Sequence, residues 1–157
     1  MIKGLKEQLH QIRTHAEQDY PAECCGLLLG SSDNSCKLLR EVVPTENSWS
    51  PAVVAAQRDT ATNTSKRNRF SIAPEVMLQV QKRARDRHLD IIGVYHSHPD
   101  GIAVPSEFDR AIAWSVYSYI IVSVTEGRAV EVRCWTLEEG QFQSEEILII
   151  DAETAKS

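Results

Sequence analysis

Residues 24–30 read CCGLLLG, an apolar run of strand length punctuated by glycines. A short continuous run of this kind predicts a strand covered on both faces. That segment demands a layer on either side of a sheet, and the rest of the 157 residues must supply both layers. Ile2, Leu5, Leu9, Ile12 and Ala16 recur at helical spacing, which predicts an amphipathic helix ending at Tyr20-Pro21, where the proline forces its predecessor out of helical geometry. CKLLREVV (36–43) predicts a neighbouring strand, joined through the turn-rich GSSDNS. Pro44 to Arg69 is irregular and is expected to be a substrate-facing flap. Pro74 opens a second helix, PEVMLQVQKRARDRHL, with Val76, Met77, Val80 and Ala84 as its buried stripe. His10 and His15 read as surface residues, and His88 as a cation suited to a helix C-terminus. DIIGVYHSH reads as a strand and PSEFDRAIAW as a short helix. YSYIIVSV, AVEVRCWTL and FQSEEILII read as three antiparallel strands, with turns at Glu126-Gly127 and Glu139-Gly140. The expected architecture is α/β: a single-domain mixed β-sheet flanked by helices over residues 1–150, with 151–157 a flexible tail.

The formal net charge of −5 argues against general nucleic-acid binding, which draws affinity from a basic surface. Two local basic groups stand out, Lys66, Arg67 and Arg69, and Lys82, Arg83, Arg85 and Arg87. The second reads as the solvated face of a helix. No apolar run is long enough to cross a bilayer, and MIKGLKEQLH lacks an apolar signal core, so a cytoplasmic protein is expected. Cys24, Cys25, Cys36 and Cys134 show no C-x-x-C spacing. Free buried thiols are expected, without a disulfide framework.

YHSHPDGIAVPSEFD (95–109) carries the chemistry. Alternate residues of a strand share a face, so His96 and His98 point the same way and can hold one metal ion. Pro99 ends ladder pairing, which places the pair at the edge or mouth of the sheet. Ser106 and Asp109 have the spacing of a capping box, the ordinary reading of such a pair. Taken together, two strand-end imidazoles and a carboxylate in the first helical turn make three ligands of the types zinc accepts, with a fourth position left for water. Ser97 points to the opposite face and is expected to pack. Glu23, just before the buried strand, is the candidate general base; a salt-bridged or edge-exposed glutamate is its default reading.

HSHPDGIAVPSEFD resembles the signature of the JAMM metallopeptidases, or MPN-plus domain: H-x-H-P, six residues, then S-x-x-D. The upstream glutamate of that signature matches Glu23. YPAECCGLLLG, RFSIAPE and GVYHSHPD look like the small bacterial members, over roughly Gly4 to Ile150. The resemblance implies a JAMM/MPN, cytidine-deaminase-like architecture and one Zn2+ per chain on His96, His98 and Asp109. It implies Glu23 as general base and Ser106 as hydrogen-bond donor to the oxyanion. It also implies hydrolysis of the amide bond after the C-terminal Gly-Gly of a ubiquitin-like or sulfur-carrier protein, in some pathways releasing cysteine. A non-catalytic binding module for such tails and a zinc hydrolase of another small amide stay open, as do a homodimer, the leaving amine and the substrate-binding residues.

Overall fold

The computed structural model describes residues 1–34, 36–53 and 62–156. The chain runs β1 (Ile2–Leu5), α1 (Lys6–Asp19), β2 (Cys25–Asp33), β3 (Cys36–Thr45), a 3-10 turn (Pro51–Val53), α2 (Pro74–Asp86), β4 (Asp90–Pro99), α3 (Glu107–Ile112), β5 (Ser118–Thr125), β6 (Arg128–Glu138), β7 (Gln141–Glu145), β8 (Ile147–Ile150) and α4 (Ala152–Lys156). The eight strands form one sheet in the order β7-β6-β5-β4-β2-β3-β1-β8. Its β4–β5, β1–β3 and β1–β8 pairs are parallel and the others antiparallel. The mixed sheet flanked by helices is the expected one.

Two apolar layers cover the sheet. On one face Ile12 and Ala16 of α1 meet Leu28, Leu39, Val42, Tyr95, Ile120 and Val122. On the other, Val80 and Ala84 of α2 meet Leu27, Leu29, Val94, Phe70 and Phe108. Alternation along β2 explains the split, with Leu28 facing α1 and its neighbours facing α2. Burying each such leucine or isoleucine stabilises the fold by roughly 1.5–3 kcal/mol. β2, β4 and β5, buried on both sides, are the strands with continuous apolar runs. The two expected turns hold, with Glu126, Gly127, Glu139 and Gly140 all at positive φ, as two-residue hairpin turns require.

Four features depart from the sequence reading. Residues 2–5 are a strand, not the first turn of a helix, because β3 and β8 pair with them on both sides. Gly4, a poor helix former, lies against Leu39. FQSEEILII is two strands at opposite edges of the sheet, broken at Glu146. Where a flexible tail is expected from 151, the described residues 152–156 form a helical turn with Ala155 buried and its carbonyl bonded by Arg40. His15 is half-buried and bonds the Tyr95 hydroxyl at 2.7 Å, whereas His10 is exposed. Of the expected flap, residues 54–61 lie outside the described set. No described helix is long and apolar enough to cross a membrane.

Candidate metal centre

β4 is an inner strand between β2 and β5, so His96 and His98 lie near the end of an internal strand rather than at an edge. Pro99 is its last residue. The α3 N-terminus supplies the third group. Ser106 caps it, its Oγ accepting from Asp109 N at 3.1 Å, while Ser106 N donates to Asp109 Oδ2 at 2.9 Å. The capping box is therefore real, and it aims the Asp109 carboxylate. Asp109 Oδ1 lies 3.1 Å from His96 Nε2, Asp109 Oδ2 3.0 Å from His98 Nε2, and the two Nε2 atoms 3.1 Å apart.

The fixed tautomer of His98 decides what this cluster needs. Its Nδ1 lies 2.8 Å from the Ile102 carbonyl, which can only accept, so the proton sits on Nδ1. Nε2 then turns a lone pair toward a carboxylate oxygen and a second imidazole. Electron-rich atoms converging at 3.0–3.1 Å require a cation among them, a second proton or a metal ion. Burial opposes protonation of His98, but Asp109 and the Ile102 carbonyl outweigh it and hold its pKa above the usual value. At fully buried His96, desolvation wins over Asp109 and the pKa falls. Burial also acts on Asp109, but the two imidazoles outweigh it and hold this carboxyl far below its usual range. The group His96, His98 and Asp109 fits a divalent ion bound by two nitrogens and a carboxylate.

Glu23 reaches this face through the ladder. Cys25 pairs with His96, and Ser97 N donates to Cys24 O at 3.2 Å, so the register carried on sets Glu23 opposite His98. Ser97, buried on the other face, accepts from Cys24 N at 2.8 Å and fixes that register. Glu23 is 5% exposed. Desolvation first, then the Asp109 charge, raises its pKa well above 4.5, against the opposing Arg69.

Two residues the sequence reading did not single out complete the site. Asn47, itself buried, donates from Nδ2 to the Glu23 and Arg69 carbonyls, at 3.0 Å each. Its Oδ1 accepts from Trp49 N at 3.1 Å and Ser71 N at 3.2 Å. Phe70 stacks on the His96 ring, with centroids 4.5 Å apart and planes 21° apart. RFSIAPE contains Phe70, but neither residue belongs to a periodic pattern. A groove of about 580 Å³ opens beyond Phe70, lined also by Met77, Val94, Ile112, Trp114 and Tyr119. It contains none of the acid or imidazole groups.

Comparison with known proteins identifies the family and the fold. Residues 5–138 match the family described as prokaryotic homologs of the JAB domain. A desampylase of Haloferax volcanii is 33% identical over 132 residues, 83% of this chain and 82% of that protein. A probable TtuB-protein conjugate cleaving protease of Thermus thermophilus is 29% identical over 134 residues, 85% of this chain and 74% of that one. The solution structure of a Desulfitobacterium hafniense protein aligns at TM-score 0.76 and 27% identity, covering 96% of this chain and 94% of its own. A JAB1/MPN domain protein from Archaeoglobus fulgidus shares the fold, at TM-score 0.57 and 18% identity, over 96% of this chain and 100% of its own.

Proposed function

The chain belongs to the family of prokaryotic JAB-domain homologs, and from that premise we propose that it is a zinc-dependent peptidase or isopeptidase. Its substrate would be the amide bond after the C-terminal Gly-Gly of a ubiquitin-like or sulfur-carrier protein. The observation that carries this reading is the convergence of His96, His98 and Asp109 on one point, with Glu23 just before the adjoining strand. The names of the two relatives, one a desampylase and one a probable conjugate-cleaving protease, support the substrate class.

His96, His98 and Asp109 would hold the ion. When bound, zinc supplies Lewis acidity, polarising the scissile carbonyl and acidifying water at the site. Glu23 takes the proton from that water and passes it to the leaving amine, and its raised pKa suits both transfers. The Ser106 oxygen already accepts from Asp109 N, so its hydroxyl hydrogen is left to donate to the developing oxyanion. Losing one such donor costs about 3–4 kcal/mol of barrier. Backbone pairing suits a Gly-Gly tail, which offers no side chains to grip.

The test offers a sulfur-carrier protein carrying a cysteine after its Gly-Gly, and separately one linked to a lysine side chain. Mass spectrometry follows release with and without chelator. Chelator-sensitive cleavage after the second glycine is expected. Glu23→Gln should keep its zinc, measured by metal analysis, and lose turnover; a fully active variant removes Glu23 from the mechanism. Bound zinc with no release from either substrate points instead to a tail-binding role.

A further inference from the structure

The segment 62–74 contains three cations, Lys66, Arg67 and Arg69, and no acidic residue, in a chain whose net charge is −5. It is fastened to the candidate base at two points. Glu23 N donates to the Lys66 carbonyl at 2.6 Å, and Asn47 bridges the Glu23 and Arg69 carbonyls. The loop is also bonded to itself. Asn68 Oδ1 accepts from Ser65 N at 2.9 Å, Ser65 Oγ from Arg67 N at 3.1 Å, and the Asn63 carbonyl from Asn68 Nδ2 at 3.1 Å. Arg69 turns inward, its guanidinium 4.6 Å over the Phe108 ring. Lys66 and Arg67 are exposed, and no ion pair within 4.0 Å engages their head groups among the described residues, although the Arg67 charge is near enough to Asp100 to help lower its pKa.

We propose that Lys66 and Arg67 form a docking rim for an acidic face on the folded body of the ubiquitin-like partner, beside the root of its tail. This rests on the peptidase reading. The two glycines before the cleaved bond span only about 7 Å, so whatever precedes them leaves the site across the surface around the cleavage point. On the Glu23 side that is this loop. Its two exposed cations can reach over the rim toward carboxylates on the body, while Arg69 stays in the wall. Rim charges of this sort act on encounter and orientation rather than on the chemical step. The signature is therefore a raised KM with an unchanged kcat, and a rate that falls with salt.

The experiment compares the zinc-loaded wild type with Lys66→Glu/Arg67→Glu and with the control Lys82→Glu/Arg85→Glu on the outer face of α2. Each is assayed on a ubiquitin-like carrier with a C-terminal extension, and on a short peptide carrying only the same tail, across a salt series. The rim reversal should raise KM for the carrier about tenfold at low salt, flatten its salt dependence and leave kcat intact. Peptide cleavage and the control variant should match wild type. An unchanged carrier KM, or an equal loss on the peptide, overturns the rim while leaving the peptidase reading standing. A wild type that cleaves no carrier overturns both.

Discussion

At the scale of single residues, the two imidazoles of the candidate metal centre are held by different physics. His98 has its second nitrogen on a backbone carbonyl, the usual arrangement for a ligating histidine. His96 Nδ1 is buried and has no hydrogen-bond partner among the described residues. Its ring is oriented by the face of Phe70, which Asn47 holds through the flanking Arg69 and Ser71 backbone groups. Phe70→Leu is expected to weaken binding of zinc added to the candidate centre by about tenfold, the scale of an outer-shell loss, with Phe70→Tyr near wild type. Competition against a chelator measures this, and equal affinity in the leucine variant would refute the role. His96, His98, Ser106 and Asp109 were legible in the sequence because strand alternation and helix capping leave fixed spacings. Phe70 and Asn47 were not, because a ring face and a backbone-bridging amide leave none.

At the scale of elements, the site depends on how closely β2 and β4 approach. A methyl group on Gly26 would sit 2.2 Å from the Tyr95 ring. Tyr95 has no room to give way, being fully buried with its hydroxyl bonded to His15. Gly26→Ala is expected to push the two strands apart, destabilise the fold by roughly 1–3 kcal/mol and disturb the register that sets Glu23 opposite His98. Urea melts check the first effect and turnover per folded molecule the second. The inner strands were readable because burial on both faces makes them continuously apolar. β1 and β8 were misread because each has only four residues, too few for a period, and because their identity comes from each other. Local helical spacing at residues 2–5 could not reveal one partner strand at residues 37–38 and another more than a hundred residues away.

At the scale of the whole molecule, the sheet's two edges are β7 and β8, with only Glu146 between them in sequence. Their adjoining ends lie within about 8 Å, so the sheet curls until its edges approach each other. Glu145 sits at that seam, accepting from the Ser118 hydroxyl and the Cys134 thiol and pairing with the N-terminal ammonium at 3.0 Å. Burial alone would raise its pKa, but Ser118 foremost among these partners brings it below the usual value. A carboxyl with a depressed folded pKa stabilises the fold above the unfolded value and loses that contribution as pH falls through the folded one. Glu145→Gln should therefore melt below wild type at about pH 7, and the gap should narrow as pH falls below the usual glutamate range, about 4.3. A gap that persists in acid would show that packing, not charge, makes the difference.

The pairing of β1 with β8 also sets an order of events in time. Ile2 meets Ile147, so the first strand of the chain must wait for almost everything after it. The β2–β3 hairpin and the β5–β6–β7 meander close over short loops and can form early. Until residues 147–150 arrive, one side of β1 remains an open edge, able to pair with another nascent chain. Pulse-labelling during refolding should find the amides of β1 and β8 protected last, after the hairpin and the meander. The candidate metal centre, carried by β4 and α3, should assemble before that final seam shuts.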